Sequence, residues 1–306
     1  MLSPEEVLDR LARSGSLWSV APGITGLRGP VVSLVRELES ALLDIARLET
    51  TDEWIAPAGV AFETLEKARY FASFPQWLSA ASHLSGDDEA LRRIAASTSP
   101  ADAARDSLAR AEVALPPAVC YNTYAALAGS VIDSPLVMTA AGTCWRHEGD
   151  RHAALERGWA FTMREIVCLG AESDVKQFLD RCTERVGELE RELELDCEIV
   201  QASDPFFAPT ARGQAALQRI KGLKHELEFR FPDMRPLAIA SFNDHEVFFG
   251  EAFGISLADG TPAWSGCVAF GIERWLLAIL CTHGVDPKDW PMPAVSGSSL
   301  KSARSL

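Results

Sequence analysis

The chain has 306 residues, 47% hydrophobic and 24% charged, with a formal net charge of −14. This is the composition of a globular protein long enough to bury a substantial core, and its acidity works against unaided binding to a phosphate backbone, whose affinity comes largely from Lys and Arg. No run approaches the roughly twenty apolar residues that span a bilayer, and the Met-Leu-Ser-Pro-Glu-Glu start lacks the basic and apolar regions of a secretory leader, so a cytoplasmic protein away from membranes is expected.

In chain order, Ser3-Pro-Glu-Glu starts a short helix over 3–13. Gly23, Gly26, Gly29 and Pro30 make a turn, and from Val31 to Leu48 apolar residues recur every three or four positions, the mark of a long amphipathic helix. Trp54-Ile-Ala-Pro57 reads as a short strand closed by proline. Residues 58–84 contain Phe74-Pro-Gln-Trp77, and 87–112 form an acidic, alanine-rich helical region whose charges suit a solvated face. In 142–170 two apolar runs flank a polar, turn-prone centre, as two buried strands joined by a charged loop would. Arg146 and Glu148 stand two apart, so on a strand they share a face, where a guanidinium can grip phosphate and a carboxylate can accept from an amine. Phe161 and Glu165 come back on the return strand. A charged helix over 173–194 and a strand over 197–202 follow. Residues 209–224 are the distinctly basic segment, and 224–229 and 237–243 read as core strands. The Ser-rich stretch from Ala294 has no apolar period, so a catalytic domain over 1–293 and a mobile tail over 294–306 are expected. Seven scattered cysteines in a chain without a secretion signal point to reduced thiols and metal ligation before disulfides.

Trp145-Arg-His-Glu148, followed by Arg157, Phe161 and Glu165, resembles motif 2 of class II aminoacyl-tRNA synthetases, most closely the seryl type. Ser265-Gly-Cys-Val-Ala-Phe-Gly-Ile-Glu-Arg-Trp275 resembles motif 3, and the helix from Val31 with its strand to Pro57 resembles motif 1. Among family members, the chain is similar over about residues 20–292 to truncated seryl-tRNA-synthetase homologues that act as amino acid:[carrier protein] ligases. The resemblance implies an α+β class II synthetase catalytic fold, an antiparallel β-sheet flanked by helices, and a homodimer built through motif 1. It implies that Arg146 bridges the amino-acid carboxylate and the α-phosphate of ATP, and that Arg274 holds the γ-phosphate of a bent nucleotide. Phe161 would stack on adenine, with Arg274 over the other face of the base, Glu148 would accept from its amino group, and Arg157 would complete the ATP-binding set. Magnesium accompanies ATP, but its ligands stay unassigned, because Leu237-Ala-Ile-Ala stands where the family carries a glutamate.

Cys120 occupies the place of a glutamate in the bacterial seryl enzymes, and the zinc-dependent branch of the family holds its metal with a Cys-Glu-Cys set. By resemblance the ligands are Cys120, Glu165 and Cys267, on three separate strands, with the open zinc position taken by the substrate amine. Cys168, Cys182, Cys197 and Cys281 are expected to be small buried hydrophobes. The motif 1 helix begins near Val31, which leaves no room for the seryl enzymes' tRNA-gripping arm, so the expected acceptor is the phosphopantetheine thiol of a carrier protein and not tRNA. The expected substrate is a small amino acid, glycine or alanine. Arg212, Arg219, Lys221 and Lys224, on a predicted helix, form a candidate landing site for an acidic carrier. Two alternatives remain at this point: a tRNA ligase that borrows its arm from another protein, and a non-catalytic paralogue that binds nucleotide or amino acid.

Overall fold

The computed structural model describes residues 1–205, 207, 218–232 and 234–291, so Arg212 and the stretch from Ala294 lie outside the described residues. The chain begins with α1 (Pro4–Arg13), a hairpin of β1 (Leu17–Ala21) and β2 (Ile24–Leu27), α2 (Pro30–Glu49) and β3 (Glu53–Ile55). Short elements follow: β4 (Val60–Ala61), α3 (Phe62–Lys67), α4 (Tyr70–Ser73), β5 (Ala80–Ala81), α5 (Asp88–Ala96), α6 (Pro100–Arg105), β6 (Val113–Ala114), α7 (Cys120–Ala126) and β7 (Val131–Ile132). The second half holds β8 (Leu136–Trp145), β9 (Ala160–Gly170), α8 (Glu172–Glu192), β10 (Cys197–Gln201), β11 (Lys224–Phe229), β12 (Leu237–Asp244), α9 (Phe248–Phe253), β13 (Ser256–Leu257), β14 (Trp264–Gly271) and α10 (Ile272–His283).

Seven strands form the central sheet in the order β10-β11-β12-β14-β9-β8-β3. Every pairing is antiparallel except that of β3 with β8. Hence the fold is α+β, an antiparallel β-sheet flanked by helices, as the resemblance implied. One face of the sheet, with Ile166, Cys168, Val268, Phe270 and Phe242, packs against α2, α8 and α10. In α2 the expected period is realised: Val31, Leu34, Leu38, Leu42 and Ile45 are all buried. On the same face Arg164, 4% exposed, binds Glu39 of α2 and Glu53 of β3 at 2.8 and 3.2 Å, and also donates to the Thr139 hydroxyl of β8 at 3.2 Å. The other face, carrying Met163, Val167 and Ala269, is covered by α7 and α9.

Local differences from the sequence reading have simple causes. The helical region expected over 87–112 holds two helices, α5 and α6, the second opened by Pro100, which has no amide hydrogen and stands as its first residue. The turn expected around Gly23 is the tip of the β1–β2 hairpin. Gly23 has φ +71°, and a Cβ there would lie 2.6 Å from the Trp159 amide nitrogen and 2.7 Å from His152 Nδ1. Its carbonyl accepts from the Trp159 and Ala160 amides, so the hairpin braces the start of β9.

Candidate active site

Strand alternation puts every second residue of neighbouring strands on the α7/α9 face. On β9 these are Phe161, Met163 and Glu165. Glu165 pairs with Ala269 of β14 and Val167 with Cys267, so Cys267 reaches Glu165 on the diagonal. Asn243 of β12 pairs with Cys267, and Lys224 and Glu226 of β11 stand opposite Asn243 and Ser241. A register shift between Leu227 and Glu228 accompanies the return of Glu228 to the same wall. These side chains line a cavity of about 510 Å³.

Cys120 enters this cavity from the first turn of α7 and not from a strand, which corrects the expectation of three strand ligands. The first amides of a helix have no partner within it. Here Glu165 supplies one: Oε1 accepts from the Val119 amide at 2.9 Å and Oε2 from the Cys120 amide at 3.0 Å. The Cys120 sulfur, the Cys267 sulfur and a Glu165 oxygen lie within 4.8 Å of one another, and all three residues are buried. Two soft sulfurs and one carboxylate are a donor set suited to zinc, whose bonds of about 2.0–2.3 Å place ligands roughly 3.5 Å apart. Among the described residues this is the group of His, Cys, Asp and Glu side chains close enough to share an ion. Acids packed so tightly cannot all ionise without a cation. Burial pushes the Glu165 carboxyl up to about 7, with the Cys267 charge adding to it. The hydrogen bond to Cys267, together with burial, raises the Cys120 thiol well above its usual value, while the same bond holds Cys267 low.

The expected ATP-binding residues converge on the same cavity. Arg146, Glu148, Arg157, Phe161 and Arg274 all line it. Arg146 lies just beyond the end of β8 and Glu148 in the loop, so their proximity comes from the loop and not from a shared strand face, a correction to the sequence reading. The Arg146 guanidinium sits between two rings, 5.2 Å from the Trp77 centroid and 5.4 Å from that of Phe161, while its Nε donates to the Pro117 carbonyl at 2.9 Å. Glu148 is paired with Arg157. Arg274, near the start of α10, donates to the Glu156 carbonyl at 2.8 Å and the Ala238 carbonyl at 3.0 Å.

The four cations proposed for docking separate. Arg219 and Lys221 are exposed, with Lys221 bonded to Glu246 at 2.8 and 2.9 Å. Lys224 is on β11 and not on a helix: its side chain is 12% exposed, and its ammonium meets Asp204 at 2.6 Å and Glu226 at 3.0 Å. It belongs to the cavity wall, and the idea that it forms part of a landing surface is corrected. Arg212 lies outside the described residues. Of the cysteines expected to be buried hydrophobes, Cys168, Cys182 and Cys281 are buried and Cys197 is half-buried.

Several cavity residues escaped the sequence reading. Glu226 and Glu228 carry the period-2 signal of one strand face, which could have marked them. Trp77, in the Phe74-Pro-Gln-Trp77 stretch singled out above, and His245, which had no local signal, line the cavity as well; Tyr124, outside that lining, is fully buried. Tyr124 meets His245 Nδ1 with its hydroxyl at 3.2 Å and stacks on Phe249 with ring centroids 4.0 Å apart.

No protein-family model matches the chain. It is 38% identical over 265 residues to amino acid–[acyl-carrier-protein] ligase 1 of Bradyrhizobium diazoefficiens, an alignment covering 85% of this chain and 79% of the relative. It is 36% identical over 295 residues to amino acid–[acyl-carrier-protein] ligase 2 of the same organism, covering 94% and 86%. Among solved structures, the SerRS of M. kandleri, crystallised with A. aeolicus tRNASec, superposes with a TM-score of 0.84 at 22% identity over 95% of this chain and 59% of the other.

Proposed function

The chain belongs to the amino acid–[acyl-carrier-protein] ligase family, and we propose that it activates glycine or alanine with ATP as an aminoacyl-adenylate and passes it to the phosphopantetheine thiol of a carrier protein. The observation that carries this reading is a single cavity holding both the Cys120, Glu165 and Cys267 cluster and two arginines, Arg146 and Arg274. Amino-acid activation brings a carboxylate onto a phosphate, so its barrier is largely one of positioning two anions and neutralising their charge.

In this reading Cys120, Glu165 and Cys267 hold zinc, which when bound would supply Lewis acidity and one open position for the substrate amine. Arg146 then grips the substrate carboxylate and the α-phosphate together. A carboxylate oxygen attacks the α-phosphorus, and the bond to pyrophosphate breaks. Phe161 offers its ring to adenine, Glu148 with its partner Arg157 meets the base edge, and Arg274 holds the γ-phosphate and the open face of the base. Glu228, and Glu226 beside its partner Lys224, are two of the carboxylates lining the cavity and would serve magnesium in this reading. In the second half the pantetheine sulfur attacks the adenylate carbonyl carbon, AMP leaves, and the thiol proton goes to solvent. Tyr121 and Phe249, in edge contact with ring centroids 6.2 Å apart, line the cavity together with Cys120. A closed wall at the amine end favours a small side chain, whereas an open one would discriminate by only about 1–3 kcal/mol per methylene.

Two surfaces complete the proposal. Arg219 and Lys221 meet the acidic carrier. A twofold copy docks through α2 and β3, where Leu48 is 64% and Ile55 is 98% exposed.

The test is transfer of labelled glycine and alanine, with ATP, to a phosphopantetheinylated carrier protein and in parallel to bulk tRNA. Label on the carrier that is released by thioester cleavage supports the proposal and names the substrate. Label on tRNA overturns the choice of acceptor, and ATP binding without pyrophosphate release overturns catalysis.

A further inference from the structure

The loop between β8 and β9 carries Glu148, Asp150, Arg151, Glu156 and Arg157, and Leu155 is its one aliphatic side chain larger than alanine. That leucine is 3% exposed and belongs to the hydrophobic core that also holds Val31 of α2, Phe270 of β14 and Ile272 of α10. Its backbone has φ +61°, in the left-handed region. For a bulky apolar residue this is an outlier, and such a conformation persists only where the surrounding structure dictates it. None of the steps above gives Leu155 a role.

The turn it makes has local consequences. Ala153 and Arg157 exchange both backbone hydrogen bonds, at 3.0 and 2.7 Å, so the chain reverses over 154–156 with Leu155 at the apex. The reversal presents the Glu156 carbonyl to Arg274, whose Nε donates to it at 2.8 Å, and leaves Arg157 paired with Glu148. Leu155, Glu156, Arg157 and Arg274 all line the cavity. A side chain fixed in the core therefore stands one residue from the carbonyl that tethers a cavity arginine, and two from the cation that holds Glu148. A change of φ at Leu155 redirects the chain that follows, Glu156 and Arg157 included.

We propose that Leu155 is a positioning residue for the nucleotide: its side chain, locked in the core, holds the left-handed turn, and the turn sets Arg274 and the Glu148–Arg157 pair where ATP arrives. This rests on the reading of those three residues as part of the ATP site. In that reading the amino acid is held elsewhere, by Arg146 and the Cys-Glu-Cys set, so the effect of Leu155 falls on ATP and spares the amino acid.

Three substitutions in the full chain separate the side chain from the backbone. Leu155→Gly accepts the turn but removes the anchor. Leu155→Ile keeps the apolar volume, but its branched Cβ opposes a positive φ. Leu155→Met keeps both the volume and an unbranched Cβ. Calorimetry reads ATP affinity, pyrophosphate exchange reads the KM of glycine or alanine, and a urea midpoint reads stability. Leu155→Gly and Leu155→Ile should each bind ATP about 10–100-fold more weakly, with the amino-acid KM little changed, and Leu155→Met should stay close to the wild type. Leu155→Ile should also keep its urea midpoint better than Leu155→Gly, so it carries the test if the glycine variant does not fold. Unchanged ATP affinity in Leu155→Ile would overturn the inference and leave Leu155 a packing residue. An equal rise in the ATP and amino-acid constants, or a Leu155→Met chain as weak as Leu155→Ile, would overturn it too. The expected pattern of ATP affinities in a chain that shows no pyrophosphate exchange would support the inference and bring down the activation reading instead. A wild type that binds no ATP would bring down both.

Discussion

Arg146 and Arg274 enter the cavity already tied to backbone carbonyls, through Pro117 in one case and Glu156 and Ala238 in the other. Such tethers hold a guanidinium in place before substrate arrives, which is what makes charge neutralisation effective. A lysine keeps the charge but not the planar fork. Arg146→Lys is therefore expected to lower amino-acid-dependent pyrophosphate exchange by about 10²–10³-fold, with a much smaller change in ATP affinity measured by calorimetry. The Cys-Glu-Cys set predicts a pH dependence of metal binding. Ligation needs the deprotonated forms; Cys120 is raised and Glu165 stands at about 7 in the metal-free chain, whereas Cys267 is held low. Binding thus displaces about one proton above pH 7 and about two below it. As the pH is lowered, zinc affinity should fall roughly tenfold per unit above pH 7 and approach a hundredfold per unit below it, a slope that competition with a chelator at pH 6, 7 and 8 reads directly. A flat profile would mean that these groups do not bind the metal.

At the scale of elements, β8 and β9 take their place from contacts at the start of β9 and along its middle. The β1–β2 hairpin binds the Trp159 and Ala160 amides through the Gly23 carbonyl. Midway along β9, Arg164 gathers Glu39 of α2, Glu53 of β3 and Thr139 of β8. Because Arg164 is 4% exposed and Glu39 is the closer of its carboxylates, Glu39→Ala leaves a buried cation short of a partner. Such a loss costs about 3 kcal/mol, visible as a lower urea midpoint with an unchanged slope. The exposed pair Arg219 and Lys221 predicts the opposite kind of result. Reversing both charges should weaken transfer to the carrier and leave pyrophosphate exchange intact; equal loss of both activities, or of neither, would remove the docking role. Lys224 cannot substitute for them, since Asp204 and Glu226 hold it inside.

At the scale of the molecule, β3 leaves one edge of the central sheet open and presents Ile55 there, 98% exposed. An apolar side chain on an open edge invites a partner, so Ile55→Lys is expected to convert a dimer to a monomer in light scattering, with the urea midpoint little changed. A wild type that is already monomeric would refute the twofold interface. Among the described residues no helix is long and apolar enough to cross a membrane. Much of this architecture was legible in the chain, because helical and strand periods are local: α2, α8, β11 and β12 lie within a residue or two of where spacing put them. The order Arg146, Glu148, Arg157, Phe161, Glu165, Cys267 and Arg274 was legible too, through its resemblance to known motifs. Only the folded chain decided which of these residues meet and from what element. Cys120 starts a helix because two preceding prolines and the Glu165 carboxylate fix where that helix begins. Lys224 faces inward because the pairing of β11 with β12 selects its face. Tyr124 and His245, 121 positions apart, come together through sheet register and burial, which no window of sequence contains.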